Sequence, residues 1–167
     1  MFKRILVPTD GSARAEHAAR AAIELAKFLD ASIIALYVYP PLRIYSTEPF
    51  VVVPELISEK AYTKAQQKAA KRYLGVIDKA ALAVGVRCTS LGLEHDSPAA
   101  AIVETAASTD APCDLIFIGS HGRGLFSQML LGSVTTKVQA LCDIPVLVYR
   151  DPLKRKALKK ANTTTKG

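Results

Sequence analysis

The chain has 167 residues, half of them apolar and 22% charged, which is a normal composition for one folded domain and excludes a disordered or low-complexity protein. Its longest apolar runs fall well short of the ~20 residues that cross a bilayer, and no signal peptide is recognisable at the start, so we expect neither a membrane span nor export. Three widely spaced cysteines indicate neither a disulfide framework nor a zinc site, which favours a reducing, cytoplasmic setting.

The net charge of +7 is unevenly distributed along the chain. Residues 151–167 hold six basic residues and one acid, so this tail carries +5 and residues 1–150 carry +2. A domain so close to neutral lacks the basic surface of a dedicated DNA-binding protein, and we do not expect nucleic acid as its partner. We interpret residues 1–150 as one domain and residues 151–167 as a solvated basic tail.

The first half of the chain predicts a strand, a helix and a second strand. Arg4–Val7 predicts a short strand ending at Pro8, because the three apolar residues after Arg4 are typical of a strand buried on both faces. Thr9–Ser12 has the composition of a turn and helix cap, and apolar residues then recur at helical spacing to Asp30. Ser32–Val38 predicts the second strand, which lies parallel to the first in a βαβ unit.

The second half continues the alternation of helices and strands. Tyr39–Pro54 contains four prolines and predicts an irregular loop, and Glu55–Val84 predicts one long helix. Val86–Leu93 then predicts an edge strand, and Ser97-Pro98 starts a helix that stops near Thr109. The last three predicted elements are a strand at Leu115–Ile118, a helix at Ser133–Leu141 and a strand at Val146–Tyr149. Such alternation predicts a doubly wound α/β domain with a parallel sheet and helices on both faces.

Glycines are concentrated where the fourth strand leads toward the last helix. Gly119, Gly122 and Gly124 follow the strand, and Gly132-Ser133 begins the helix. Glycine lets backbone N–H groups approach a phosphate, and a helix N-terminus adds partial positive charge, so the segment predicts a phosphate site. It contains neither the Gly-Lys-Ser/Thr of a P-loop nor the Gly-x-Gly-x-x-Gly of a dinucleotide fold.

The spacing of Gly119, Gly122, Gly132 and Ser133 resembles the nucleotide signature of the ATP-binding branch of the universal stress protein family. The opening Ile5–Ser12 and the closing Pro145–Tyr149 are similar to that family as well. The resemblance implies a Rossmann-like, adenine nucleotide alpha hydrolase-like fold with five strands in the order 3-2-1-4-5. In that order strands one and four are adjacent and their following loops diverge, which is where open α/β sheets bind ligands.

The resemblance also implies a ligand and a set of contacts. The ligand is ATP, or AMP or ADP, with Mg²⁺ on Asp10, because Mg²⁺ prefers carboxylate and phosphate oxygens. The residues expected to bind the nucleotide are Pro8, Thr9, Asp10, Val38, Gly119, His121, Gly122, Arg123, Gly132, Ser133 and Val134. A homodimer is expected to form through the fifth strand at Val146, Leu147 and Val148.

Three functions remain open on these residues. The first is a nucleotide-dependent switch in stress response, in which binding and not turnover is the function. The second is slow ATP hydrolysis or phosphotransfer, for which no catalytic residue can be named, since nothing in the sequence places a carboxylate or nucleophile near His121. The third is a nucleotide-free interaction module. Asp10 also has a purely structural interpretation as a turn or capping residue.

Overall fold

The computed structural model describes residues 2–42, 58–120 and 131–150, which form five strands and four helices in strict alternation. Their bounds, in chain order, are β1 Arg4–Thr9, α1 Ala13–Leu29, β2 Ser32–Tyr39, α2 Glu59–Ala83, β3 Cys88–Glu94, α3 Pro98–Ala106, β4 Leu115–Gly119, α4 Ser133–Leu141 and β5 Val146–Tyr149. The predicted loop at Tyr39–Pro54 and the predicted start of the long helix at Glu55 fall mostly outside these ranges. The basic tail lies outside them entirely.

All five strands form one parallel sheet in the order β3-β2-β1-β4-β5. The expected fold class and strand order are therefore confirmed, and β3 is an edge strand as predicted. The pairing of the central strand is unequal on its two sides. β1 pairs with β2 at six positions from Arg4 to Thr9, but with β4 only at Ile5 and Leu6. The sheet therefore opens between the carboxyl ends of β1 and β4.

Two hydrophobic cores lie on opposite faces of the sheet. On one face, alanines of α1 and the Leu74 side of α2 pack on the sheet residues Val7, Ala35 and Phe117. On the other, α3 and α4 pack on Leu6, Leu36 and Ile116 through Ile102 and Val138, among others. Because successive strand residues point to opposite faces, continuous apolar runs such as Ile5–Val7 fill both cores.

Three of the four described helices begin at a serine that caps them. Ser12, Ser58 and Ser97 each accept a hydrogen bond, through the side-chain oxygen, from a backbone N–H three residues further on, at 3.2–3.3 Å. This bond satisfies one of the N–H groups that a helix start leaves unpaired. α4 begins differently, at Gly132, where no side chain makes a capping hydrogen bond. Its first N–H groups are therefore not occupied by a cap.

Helix bounds differ from the predicted ones where the local signal was weak. α3 ends at Ala106 and not near Thr109. In α2 the first buried residue is Ala70, and Ala61 and Ala65, which precede it in the helix, are exposed although they are apolar. None of the eleven residues before Ala70 is buried, although Ala69 packs partly against the first core.

Candidate functional site

The candidate site lies at the carboxyl ends of β1 and β4, and its first wall is the turn after β1. Thr9 Oγ1 accepts a hydrogen bond from the Gly11 N–H at 3.1 Å, and Asp10 Oδ1 accepts one from the Ser12 N–H at 3.0 Å. Ser12 in turn caps α1 by accepting from the Ala15 N–H at 3.2 Å. These hydrogen bonds from backbone N–H groups to side chains stabilise the turn locally, so Asp10 does have the structural role of a turn residue. It also lies where the sheet opens between the carboxyl ends of β1 and β4.

Pro8 lies inside β1, although its position was predicted to end the strand. Lys3 C=O accepts from the Ser32 N–H of β2, whereas Arg4 C=O accepts from the Asp114 N–H on the β4 side. Residues along a parallel strand bond alternately to the two neighbours, so Pro8, like Arg4, points its nitrogen toward β4. The ladder to β4 has already ended at Leu6. The missing N–H of Pro8 therefore costs no hydrogen bond, and the proline stands at the edge of the opening.

Gly11 allows the turn to lie directly against α2. Its φ is +75°, a backbone conformation that residues with a Cβ atom rarely adopt. A Cβ on Gly11 would also meet the ring of Tyr73 closer than 3.0 Å. The Tyr73 ring packs in turn against Tyr37 of β2, with ring centroids 5.3 Å apart. An aromatic pair thus supports the Asp10 turn from one side.

The second wall is the junction of β4 and α4. Gly132 N–H donates to Ser120 C=O at 2.7 Å, and Ser120 N–H donates to Tyr149 C=O at 2.8 Å. Thr135, only 3% exposed, donates its hydroxyl hydrogen to Gly119 C=O at 2.9 Å. These bonds hold the first turn of α4 at the carboxyl end of β4.

The start of α4 has the features of an anion site. Gly132 is extended, with φ −72° and ψ 156°, and the first turn contains no acidic residue. Ser133, at the first helical position, is exposed, and Val134 packs partly against the second core. The N–H groups of a first turn have no partner within the helix, and the helix dipole makes this end partly positive. An anionic group placed here would find both hydrogen-bond donors and a favourable field.

The structure brings most of the predicted site residues to the end of the sheet that is formed by the carboxyl ends of the strands. Pro8, Thr9 and Asp10 lie at the end of β1, Gly119 ends β4, and Val38 is at the carboxyl end of β2 with its side chain partly in the second core. Gly132, Ser133 and Val134 start α4 at the same end. His121, Gly122 and Arg123 lie outside the described residues.

The expected metal position is compatible with the residues present but is not a preformed cage. Asp10 contributes a carboxylate at the turn, and Mg²⁺ is typically bound by one or two carboxylates together with substrate phosphates and water. Within residues 2–42, 58–120 and 131–150, no group of three or more His, Cys, Asp or Glu side chains could hold a metal. Any Mg²⁺ at Asp10 would therefore depend on oxygens supplied by a phosphate ligand.

Two cysteine thiols with raised pKa values lie at the opposite end of the sheet, where the strands begin. Burial, followed by a hydrogen bond to Asp78, raises the pKa of Cys88 to about 12, and burial raises that of Cys113 to about 11. Cys88 begins β3 and Cys113 precedes β4, so both are at the amino ends of strands. Such thiols are poor nucleophiles at neutral pH and take no part in the site.

Two contributors to the site were not predicted from the sequence. Thr135 and Tyr73 were treated only as helix residues, yet one ties α4 to β4 and the other supports the Gly11 turn. A signal existed for Thr135, because it is a polar residue on the side of α4 that also buries Val138. Tyr73 offered no comparable signal, since its contact joins residues far apart in the chain.

Comparison with known proteins agrees with this architecture. The family model described as "Universal stress protein family" matches residues 1–150. Universal stress protein MJ0531 of Methanocaldococcus jannaschii is 37% identical over 159 residues, covering 92% of this chain and 85% of the relative. The solved structure of hypothetical protein MJ0577 superposes with a TM-score of 0.73 at 30% identity, covering 90% of this chain and 97% of that one.

Two further solved structures are nucleotide complexes. A universal stress protein in complex with cAMP has a TM-score of 0.64 at 23% identity, over 89% of this chain and 97% of its own. The universal stress protein from Archaeoglobus fulgidus in complex with dAMP has a TM-score of 0.59 at 21% identity, over 89% of this chain and 98% of its own. At this identity they support the fold alone. The family model and the M. jannaschii relative together show that this chain belongs to the universal stress protein family.

Proposed function

We propose that this protein binds an adenine nucleotide, ATP or else AMP or ADP, between the carboxyl ends of β1 and β4. The observation that carries the proposal is the start of α4, the one helix among the described four without a side-chain cap, held at the end of β4. Structures of family members in complex with cAMP and dAMP support the choice of an adenine nucleotide. Phosphate groups suit the N–H donors of a helix start that has no side-chain cap.

Each predicted residue has a role in this proposal. The backbone of Gly132, Ser133 and Val134, with the Ser133 hydroxyl, donates to the outer phosphates. Gly119 and Gly122 line the ribose and the α-phosphate, and His121 and Arg123 belong to the same connecting segment. Val38 contacts the adenine through backbone groups, Pro8 and Thr9 lie beneath the nucleoside, and Asp10 binds Mg²⁺ when a phosphate ligand supplies the remaining oxygens.

Thermal unfolding tests the proposal. A ligand at 100 times its Kd adds about 2.7 kcal/mol to the free energy of unfolding, which for a domain of this size raises Tm by about 5–10 °C. We expect this shift with Mg-ATP for the wild type and a much smaller one for Gly122→Val. The matched control is Gly75→Val, because Gly75 lies on α2 with open space around it, and it should keep the full shift relative to its own unliganded Tm.

An unshifted wild type with all three nucleotides would contradict the proposal and favour a nucleotide-free interaction module. Phosphate release measured over hours separates binding from turnover. Bound ATP that stays intact supports a switch, whereas release that is lost in Asp10→Ala supports a slow ATPase or phosphotransferase. We propose the switch, acting in stress response, because no general base can be named in the described part of the site.

The switch is proposed to act as a homodimer through β5, in a reducing cytoplasm where the three free cysteines stay unpaired. β5 is the outer strand of the sheet, Leu147 is 38% exposed, and Val146 and Val148 are half-buried. Unpaired backbone groups and an apolar segment at a sheet edge favour pairing with a second copy. Light scattering should detect a dimer that Leu147→Lys dissociates and that Leu82→Lys, an equally drastic change on exposed α2, leaves intact.

No helix described in residues 2–42, 58–120 and 131–150 is long and apolar enough to span a membrane.

A further inference from the structure

A row of cationic side chains runs along α2, away from the candidate nucleotide site. We call it the basic face and define it by six exposed residues, Lys60, Lys64, Lys68, Lys71, Arg72 and Lys79. At 3.6 residues per turn all six fall within a sector of about 120° of the helix circumference, and the row is about 28 Å long. The cations are therefore concentrated on one side of the helix.

The opposite side of α2 is occupied by contacts with the rest of the domain. Tyr62 donates its hydroxyl hydrogen to Pro40 C=O at 2.7 Å, and Tyr73 packs on Gly11. The basic face consequently points toward the free edge of the sheet at β3. There an open groove of about 610 Å³ is lined by Lys71, Arg72, Lys79, Gly75 and Ser90, together with Leu74, Val76 and Asp78.

The charge of this face is not neutralised by neighbouring acids. Among the described residues none of the five lysines forms an ion pair, and Arg72 contacts Tyr73, with its Nη2 2.6 Å from the phenol oxygen. Asp78 is the acid among the residues that line the groove, and it accepts a hydrogen bond from the Ser90 hydroxyl at 2.7 Å. The near-neutral total of residues 1–150 thus conceals a local excess of positive charge.

We propose that the basic face binds the phosphate backbone of nucleic acid without recognising base sequence. Lysine ammonium groups suit phosphates as point charges, and the five lysines in a row with Arg72 complement a polyanion. This inference goes beyond nucleotide binding and does not depend on it. It replaces the expectation drawn from net charge, because the distribution of charge, and not its total, forms a binding surface.

The composition of the face favours nucleic acid over other anionic partners. From Lys60 to Lys79 no large apolar side chain of the described helix is strongly exposed; Leu82 follows only beyond Lys79. Binding to an acidic membrane by an amphipathic helix needs an apolar face, and a stable protein interface needs an aromatic or aliphatic centre. A phosphate backbone needs neither. Gly75 adds room for close approach in the middle of the row, since nothing lies within 4 Å of its would-be Cβ.

The test is fluorescence anisotropy of the full chain with labelled duplex DNA, single-stranded DNA and RNA at several salt concentrations. The logarithm of the binding constant should fall linearly with the logarithm of salt, and for the duplex, Lys64→Gln with Lys68→Gln should reduce the slope by about 1.8, since each phosphate neutralised contributes about 0.9. The matched control removes the same charge from the tail, in Lys159→Gln with Lys160→Gln. It should change the slope and the affinity much less.

Three results would overturn the proposal. They are no binding to any of the three nucleic acids at about 50 mM salt, an equal loss in the two double variants, and binding to vesicles of acidic lipid with none to nucleic acid. Circular dichroism melting checks that each variant is folded, which we expect for Lys64 and Lys68 because both are exposed on α2. Binding to one nucleic acid and not the others identifies the type of backbone and supports the proposal.

Discussion

Replacing Gly11 by alanine tests how the turn at the candidate site is held. The substitution has two costs in this structure. At φ +75° an L-residue is disfavoured by about 1–2 kcal/mol. The new methyl group would also overlap the Tyr73 ring, and overpacking of this kind costs about 1–3 kcal/mol. We therefore expect Gly11→Ala to lower the free energy of unfolding by about 2–5 kcal/mol and Tm by about 5–15 °C.

Gly85 provides a matched control for the backbone cost. Its φ is +77°, almost the same as that of Gly11, but nothing lies within 4 Å of its would-be Cβ. Gly85→Ala should therefore lose only the backbone cost of about 1–2 kcal/mol. Urea unfolding of both variants measures the difference, which is the steric contribution of Tyr73.

A double-mutant cycle isolates that contribution further. In a Tyr73→Ala background the added methyl group has no ring to displace, so Gly11→Ala should there cost no more than Gly85→Ala. Equal losses for Gly11→Ala and Gly85→Ala in the wild-type background would refute the reasoning. They would mean that α2 does not support the turn.

Three other changes have defined outcomes. Gly75→Ala should raise the free energy of unfolding by about 0.5–1 kcal/mol, because it removes a helix-interior glycine where a methyl group meets nothing. Thr135→Val should cost about 0.5–1.5 kcal/mol in urea unfolding by removing the hydrogen bond from a buried hydroxyl to the Gly119 carbonyl, whereas the exposed Thr136→Val should cost little. The raised pKa values keep Cys88 and Cys113 protonated in the folded state, whereas the thiols of the unfolded chain ionise near pH 9. The free energy of unfolding should therefore keep this contribution below pH 9 and fall between about pH 9 and 12. The fall should be less steep in the double variant Cys88→Ala with Cys113→Ala.

The elements that the sequence predicted best are those with strong local signals. The bounds of α4 and β5 agree with the prediction, since Gly132-Ser133 marks the start of the helix and Pro145 precedes the strand. The alternation of helices and strands was sufficient for the fold class. The strand order was available only through the family resemblance, because which strands become neighbours depends on contacts between distant residues.

Other features depend on three-dimensional context and could not be predicted locally. A proline normally ends a central strand, but Pro8 continues β1 because its nitrogen points to the place where β4 has already separated. The contact of Gly11 with Tyr73 joins two elements through packing that no periodicity encodes. Likewise, net charge did not indicate the basic face, because acids elsewhere in the domain offset it.

The most direct test of nucleotide binding is a titration of ¹⁵N-labelled protein with Mg-ATP, followed by amide chemical shifts. We expect the largest changes at Ser133 and Val134, where α4 starts without a cap, and at Asp10. The amides at the start of α3, which Ser97 caps, should stay unchanged. Saturable shifts confined to the ends of β1 and β4 would agree with the proposed site, whereas shifts absent there at saturating nucleotide would contradict it.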